Sequence, residues 1–506
     1  MAKGLSGTIR LRYSGLVAFG SKIFSMVTGI VFVAIVTRNL SVADFGVWQY
    51  LSLILSYVIF PSSSIAFWIT RFSARGYSVG KNGILSNLIL SLPFFVVFLL
   101  ISRLASTVIG ADVKYFYMIS VQVILVYLLA GLSASAYARH PHLVGYAEVV
   151  FESVKIAFAF LLFFILHMEL VGAIFAVILA YAGECLFLFL LLQDEIREET
   201  QWSMVKKWFS HLWMPLQSDA VTVIYNLDLL ILALVVHIPE PLALYRAAFI
   251  VAVTITYTSS LAMALYPKLL GGGGSVDVEG AFKLCFTFAI PMTVGVFILA
   301  APILNILKAE YVIATPLLRI MAVWAPINIL TSILGLVIMG GEKVDVDINA
   351  SSMQLVKSKL FGWYLLRYCR AGLTLPLVYI FIVILSTRCP DQLILYSALG
   401  CFLANLVGDI FLCINAYRMA KKVLEFRFPR RSVIRFMAAS AVMGLCVWLL
   451  NPVRITETIL TILAGIAIYF TVLFLIDVES RELFRKIWNY IFWRTTPNNS
   501  LGEKHN

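Results

Sequence analysis

Twelve ionisable side chains stand inside long apolar runs of this 506-residue chain. The bases are Lys22, Lys155, Arg246, Arg319, Arg367 and Arg370; the acids are Glu148, Glu152, Glu184, Asp219, Asp228 and Asp409. A charge at the centre of a hydrocarbon layer costs roughly 2.5–3.5 kcal/mol on insertion scales, so each needs a partner or a task. Arginine offers a fixed fork for phosphate oxygens and lysine a point charge, which makes the bases candidate cations for binding an anionic headgroup. The acids can pair those cations or carry a coupled ion. Equal numbers of the two signs do not by themselves choose an anionic substrate, so position has to decide.

Glu148, Glu152 and Lys155 recur at i, i+4 and i+7 on one helical face, where Glu152 and Lys155 are spaced to pair. A structural pair and a substrate role are both open for them. Lys22 lies about eight residues into its run, near 12 Å from the start at about 1.5 Å per residue. That is too deep to reach the surface comfortably, and its own helix offers no nearby carboxylate, so Lys22 leads the candidates. Arg246 and Arg319 each sit about a turn from the outer end of a run and are long enough to extend to the interface instead. Arg367 and Arg370 share a face about two turns from an inner end, with the same alternative. Asp228, in the middle of its run, is the acid expected to couple an ion or to pair a cation such as Lys22 or Arg246. Glu184 and Asp409 are the further acids in this class.

The elements that must hold these groups are membrane spans. The chain is 61% apolar and 13% charged, with a mean hydropathy of +0.93. Soluble domains run nearer 45–50% apolar and 25% charged, so a cytosolic enzyme, a disordered chain and a disulfide scaffold are excluded. Fourteen runs read as helices, since lipid leaves no other way to satisfy so long an apolar backbone. They fall near 14–37, 46–69, 84–105, 115–138, 146–167 and 170–193, then 216–237, 242–267, 282–306, 313–340, 360–387, 392–417, 432–450 and 455–476. The first reads as a retained span rather than a cleaved leader.

With the N-terminus inside, only Arg38, Arg103, Lys114, Lys308, Arg388 and Arg454 of the 39 Lys and Arg fall in outer loops. Six more lie in spans and the remainder are on the inner side, which predicts a plasma-membrane protein with both termini cytoplasmic. The net charge of +12 then reads as cationic loops facing an anionic leaflet rather than as nucleic-acid binding. Cys185, Cys285, Cys369, Cys389, Cys401, Cys413 and Cys446 have no metal-ligand spacing, so neither a metal site nor a disulfide framework is expected. Gly271–Gly274 lacks the Lys-Ser/Thr of a phosphate loop and reads as a flexible inner loop. The sequons at Asn349 and Asn498 fall on the cytoplasmic side.

Two inner stretches have the pattern of helices lying on a membrane surface. Trp202, Val205, Trp208, Phe209, Leu212 and Trp213 flank Lys206 and Lys207, while Leu483, Phe484, Ile487, Trp488 and Ile491 flank Arg481, Arg485 and Lys486. The expected organisation is an N-terminal six-helix lobe over 1–199 and a C-terminal six-helix lobe over 200–425, with an interfacial helix at 200–215. Two extra spans over 426–476 and an amphipathic cytoplasmic tail over 477–506 complete it. A shift of about 197 residues lays the second set of spans on the first, placing Lys22 on Asp219 and Arg71 on Lys268. Six spans preserve orientation, so the repeat is parallel, as in transporters that bind substrate between two halves.

Val36-Thr37-Arg38-Asn39-Leu40-Ser41 and Asp44-Phe45-Gly46 close the first span and open the second. Asp228-Leu229-Leu230-Ile231-Leu232 precedes Ala243-Leu244-Tyr245-Arg246-Ala247-Ala248, and Tyr266-Pro267-Lys268-Leu269 closes span eight. Pro291 lies in span nine; Glu310-Tyr311, Ala314 and Leu317-Leu318-Arg319-Ile320 open span ten. In that order these residues resemble the polysaccharide-unit flippases (Wzx type) of the multidrug/oligosaccharidyl-lipid/polysaccharide exporter superfamily, over roughly residues 5–425. Ala243 departs mildly from the Gly usual there, and the last two spans match some members only.

The resemblance implies an all-α polytopic protein with two six-helix lobes around a central cavity, and alternating access. The substrate it implies is a polyprenyl-diphosphate-linked oligosaccharide. Polysaccharide polymerase and glycosyltransferases are the protein partners it would allow. Related flippases of the lipid-linked peptidoglycan precursor carry cavity cations on spans one, two and eight; Lys22 and Arg246 occupy two of these. The sequence leaves two alternatives, an organic-cation antiporter of the same superfamily using Asp228, Glu184 and Asp409, and a polytopic glycosyltransferase or polymerase. The latter needs catalytic acids in sizeable outer loops, whereas Glu169, Glu240, Glu310, Asp391 and Glu457 stand alone in short ones. A transporter rather than an enzyme is therefore expected, with no cofactor and with Na+ or H+ as the coupling ion. Moving two negative charges out of a negative cytoplasm gains about 4.6 kcal/mol per 100 mV.

Overall fold

A computed structural model describes residues 11–74, 77–197, 208, 216, 220, 221, 223–262, 265–270, 274–341, 358–477 and 481. Along the chain the helices are α1 (Leu11–Asn39), α2 (Val42–Ile59), α3 (Ser62–Ala74), α4 (Gly80–Val108), α5 (Val113–Ile119), α6 (Val121–Arg139), α7 (Pro141–Phe160), α8 (Leu170–Leu191) and α9 (Gln193–Ile196). They continue as α10 (Leu227–Val236), α11 (Glu240–Thr256), α12 (Leu265–Leu270), α13 (Ser275–Ile298), α14 (Ala300–Leu307) and α15 (Thr315–Gly341). The last are α16 (Lys359–Arg388), α17 (Leu393–Val423), α18 (Arg430–Leu450) and α19 (Ile455–Ile476). Among the described residues there is no strand. The protein is an all-α, multi-pass membrane protein.

Twelve helical segments among the described residues are long and apolar enough to cross a bilayer. Two of the fourteen runs read from the sequence are not among them, each for a clear reason. The run at 146–167 forms α7 and the π-helical turn Leu161–Ile165, but it carries Glu148, Glu152 and Lys155, more charge than an ordinary span holds. The run at 216–237 is continuous only over Val223–Val236; of its first part only 216, 220 and 221 are described, and Asp219 lies outside the described residues.

Several runs are divided in the structure: 115–138 into α5 and α6, 242–267 into α11, a 3-10 turn at Tyr257–Ala262 and α12, and 282–306 into α13 and α14. The run at 46–69 is two helices, broken at Phe60-Pro61 between α2 and α3, because proline lacks the N–H that would continue the ladder and restricts the residue before it.

The described residues form two compact units interleaved along the chain. The first comprises Met1–Phe249, Leu304–Leu317 and Leu365–Phe411; the second comprises Ile250–Ile303, Leu318–Tyr364 and Leu412–Asn506. In the first, α1 packs on α7, α7 on α8, and α3 and α4 on α6. Lys308 Nζ donates to Leu40 O at 3.0 Å and Arg38 Nε to Ile306 O at 2.9 Å, so the residues that close α1 hold the end of α14. In the second unit α18 packs on α13 and α19 on α18. Tyr469 donates to Thr287 O at 2.7 Å, which satisfies a buried phenol and fixes α19 to α13.

Trp208 corrects the reading of the linker stripe. It is only 2% exposed, enclosed by Ile65, Ile69, Val79 and Ala134, with its ring 5.9 Å from that of Phe72. A large ring gains more from a packed pocket than from a surface, so this residue is core rather than a membrane-surface anchor. The other members of that stripe, and the tail stripe from Leu483 onward, lie outside the described residues.

Candidate functional site

The first group of charges is built by α1, α7 and α8. A Cβ on Gly145 of α7 would lie 2.9 Å from Val17 and 3.4 Å from the Ser21 hydroxyl, so this glycine sets how closely α1 and α7 approach. One turn further on, Glu148 accepts from Lys22 Nζ at 2.6 Å and from Ser21 Oγ at 3.1 Å. Another turn on, Glu152 accepts from Lys155 Nζ at 2.7 Å, Ser25 Oγ at 3.2 Å and Thr28 Oγ1 at 2.6 Å. Lys155 also lies over the rings of Phe151 and Phe32, at 4.9 and 5.1 Å. Glu184 on α8 is within electrostatic range of Glu148, Glu152 and Lys22.

The two pairs in this ladder differ in access. The Lys22 side chain is 74% exposed, whereas Lys155 and Glu152 are buried. The Glu152–Lys155 pair expected from spacing is present. The carboxylate that serves Lys22 comes from a neighbouring helix, out of reach of single-helix reasoning.

The second group is built by α10, α16 and α17. Gly400 and Gly408 of α17 face α16: a Cβ on Gly408 would collide with Thr374 Oγ1 and stand 3.5 Å from Arg370 Cγ, and one on Gly400 would stand 2.9 Å from the Phe381 carbonyl. This small-residue contact carries Arg370 into the interior, where it is 6% exposed. Its Nε donates to Asp409 Oδ1 at 3.0 Å and its terminal nitrogen to Asn405 Oδ1 at 3.0 Å. The guanidinium lies 4.1 Å from the centre of the Tyr225 ring. Asn405 in turn donates to Asp228 Oδ2 at 2.6 Å and to Cys401 O at 3.1 Å, while Asp228 Oδ1 accepts from Leu229 N at 2.6 Å. Two expectations change here. Arg370 does not extend to a headgroup surface, because its Nε and one terminal nitrogen are bonded inside. Asp228 is served by an amide and a backbone N–H rather than by a direct cation pair.

The remaining bases divide. Arg367 stands 5.8 Å from the Tyr225 ring, whose hydroxyl donates to Arg367 O at 3.2 Å. Arg246 on α11 is within electrostatic range of Asp228, and its buried Nε has no hydrogen-bond partner among the described residues. Tyr57 Oη is likewise buried without a partner and within electrostatic range of Asp228 and Arg246. Arg319, in the second unit, is exposed and donates to Phe297 O at 3.2 Å, with its guanidinium 5.6 Å from that ring. These partners belong to neither group.

The even total of charges therefore conceals a segregation. The α1/α7/α8 group holds two lysines against three glutamates, and the group around Asp228 holds three arginines against two aspartates. Sequence reasoning missed the neutral members, Ser21, Ser25, Thr28, Asn405 and Tyr57. A signal existed for some of them. Ser21, Ser25 and Thr28 recur at helical spacing, and Asn405 precedes Asp409 by four residues in an apolar run.

No family model matches the chain, and no curated protein matches it. Solved structures do. The structure described as "Lipid II flippase MurJ, inward closed conformation" superposes with a TM-score of 0.65 at 13% identity, covering 94% of this chain and 100% of that one. An inward-facing multidrug resistance MATE family transporter of the MOP superfamily superposes at 0.51 and 16% identity, covering 79% of this chain and 96% of that one. The outward-facing conformation of such a transporter gives 0.50 at 14% identity, covering 81% and 95%. The fold read from the sequence is the fold these transporters share.

Proposed function

We propose that this chain is a transporter of the polysaccharide-unit flippase type, moving a polyprenyl-diphosphate-linked oligosaccharide from the inner to the outer leaflet. The observation that carries this reading is two buried donors without an acceptor among the described residues, Arg246 Nε and Tyr57 Oη, in a group with one guanidinium in excess. Buried donors are nearly always satisfied, and a diphosphate oxygen is the acceptor that would satisfy these. The extent of the structural match is further support. The match to the lipid II flippase covers 94% of the chain, whereas that to the inward-facing MATE structure covers 79%.

In this reading the lobes 1–199 and 200–425 alternate access around a central cavity, both termini are cytoplasmic, and the polyprenyl tail stays in lipid. Lys22, Arg246 and Arg367 meet the headgroup. Arg370 is held in reserve by its fork, Lys155 is committed to Glu152, and Arg319 reaches an interface. Asp228 couples Na+ or H+, with Glu152, Glu184 and Asp409 as charge-pairing acids. A second reading, expulsion of an organic cation, is favoured by the excess glutamate around Glu184, which accepts no hydrogen bond among the described residues.

The test uses purified protein in liposomes containing a fluorescent short-chain polyprenyl-diphosphate oligosaccharide, with headgroup exposure read by an impermeant reagent. Exposure that depends on the protein and is lost in Lys22→Ala and Arg246→Ala is the expected result. Organic-cation transport lost in Glu184→Gln, without headgroup exposure, would instead establish the second reading.

A further inference from the structure

Asn405 is a neutral amide wedged between an acid and a base. Its Nδ2 donates to Asp228 Oδ2 and to Cys401 O, and its Oδ1 accepts from Arg370. The side chain is 6% exposed, and all three partners agree on which end carries the hydrogens. Other groups face Asp228 from each element around it: Tyr57 from α2, Tyr245 and Arg246 from α11, Arg370 from α16 and the Cys401 thiol from α17. None of these donates a hydrogen bond to its carboxylate among the described residues. Asn405 is thus the side chain through which Asp228 is connected to the buried guanidinium.

An amide in this position can face only one way at a time. While Asp228 is ionised it accepts, so the NH2 end of Asn405 points to it and the oxygen is left for Arg370. If Asp228 takes up a proton, its O–H needs an acceptor, and a half-turn of the amide brings Oδ1 to it. The same half-turn withdraws the NH2 end from Cys401 O and presents it to Arg370. A guanidinium has donors and no acceptor, so that bond is lost. Arg370 then keeps Asp409 through Nε while its terminal nitrogen is released, beside a site that has become one negative charge poorer.

We propose that Asn405 is a positioning residue that acts as a hydrogen-bond relay: proton uptake at Asp228 reverses its amide and frees the terminal nitrogen of Arg370 for an anionic oxygen of the cargo. The proposal rests on the reading of this group as a transport site and adds how an ion could be coupled there. By linkage, an anion taken by Arg370 in turn favours proton uptake by Asp228.

The relay can be followed without cargo, by infrared difference spectroscopy of the full-length protein across a pH titration with isotope-labelled arginine. The Asp228 carboxyl band is assigned by its loss in Asp228→Asn, and the Arg370 guanidinium bands by their loss in Arg370→Lys. In the parent protein the guanidinium bands shift in step with the carboxyl band. In Asn405→Leu, close in shape but without hydrogen-bonding groups, the carboxyl band still titrates and the guanidinium bands stay still. Asn405→Ala carries the same expectation if the leucine variant does not fold.

Three results overturn the relay: an Asp228 that does not titrate between about pH 4 and 10, guanidinium bands that ignore it in the parent protein, or coupling that survives in the Asn405 variants. The last would mean that Asp228 acts on Arg370 through its field alone. Binding of farnesyl diphosphate, measured separately, tests the cargo. Its absence would sink the flippase reading while leaving the spectroscopic result for the relay intact.

Discussion

The Lys22–Glu148 pair and the Arg370–Asp409 pair have the same ingredients and opposite settings. In each, a glycine lets two helices approach, Gly145 in one and Gly408 in the other, and a carboxylate next to or one turn beyond it meets a base from the facing helix. Yet the Lys22 side chain is 74% exposed and the Arg370 side chain 7%. Where its exposed face opens on a water-filled cavity, as the transport reading requires, a pair such as Lys22–Glu148 contributes about 0–1 kcal/mol, because water competes for both partners. A buried pair whose base is removed leaves a desolvated charge behind, at about 3–5 kcal/mol. The difference separates holding a fold together from meeting a ligand. A base that can leave its partner at little cost can exchange it for a phosphate oxygen, and a base locked in a fork needs a device to release it.

The largest effect on stability should therefore come from Arg370→Ala. It removes a donor to Asp409 and a donor to Asn405 at once, for a loss of about 3–5 kcal/mol. The thermal unfolding midpoint in detergent would read this as the steepest drop of the series. Combining Arg370→Met with Asp409→Leu removes both charges and should recover most of the loss, since well-packed apolar replacements of a buried pair are often neutral. Equal instability of the single and double variants would break the comparison, because the harm would then come from packing rather than from an unpaired charge.

Glu152→Gln is next. Lys155 is buried with Glu152 as its carboxylate, and the two aromatic rings beneath it return only part of the stabilisation, so a loss of about 2–3 kcal/mol is expected. Thr28→Val keeps the shape and deletes one hydrogen bond to the same carboxylate, for about 1.5–3 kcal/mol at most. Glu152 retains Ser25 and Lys155 in that variant, which places it toward the lower end. A cycle combining Thr28→Val with Glu152→Gln should show the two effects to be non-additive, as groups sharing a network are.

What could be read from the sequence divides along the same physical line. The spans were legible because hydrocarbon enforces a long apolar helix, and the break at Pro61 was missed because a local rule there cut across a continuous apolar run. The Glu152–Lys155 pair was legible because its spacing lies on one helix. Lys22–Glu148 and Arg370–Asp409 were not, because a partner on another helix is chosen by how each helix is rotated. An apolar helix whose every face suits lipid or core encodes no such rotation. Asn405 escaped for another reason: an amide is also costly to bury without partners, but a search guided by charge passes over it. Trp208 was misread because an amphipathic stripe suits a protein pocket as well as a membrane surface.

The smallest effect on stability should belong to Lys22→Met, and it gives the comparison its sharpest edge. The long apolar stem is kept, an exposed pair is lost, and Glu148 still accepts from Ser21, so the unfolding midpoint should move by no more than about 1 kcal/mol allows. Headgroup exposure in the liposome assay should nevertheless be lost, since the variant removes the base most able to change partners. Raising the salt concentration should weaken transport by the parent protein before it weakens the fold, because screening acts on an open pair far more than on a closed one. If Lys22→Met instead unfolds the protein as Arg370→Ala does, the two pairs are equivalent structural ties and exposure says nothing about their roles. If it is stable and transports normally, Lys22 belongs to the lipid boundary, and the headgroup must be met by Arg246 and its neighbours alone.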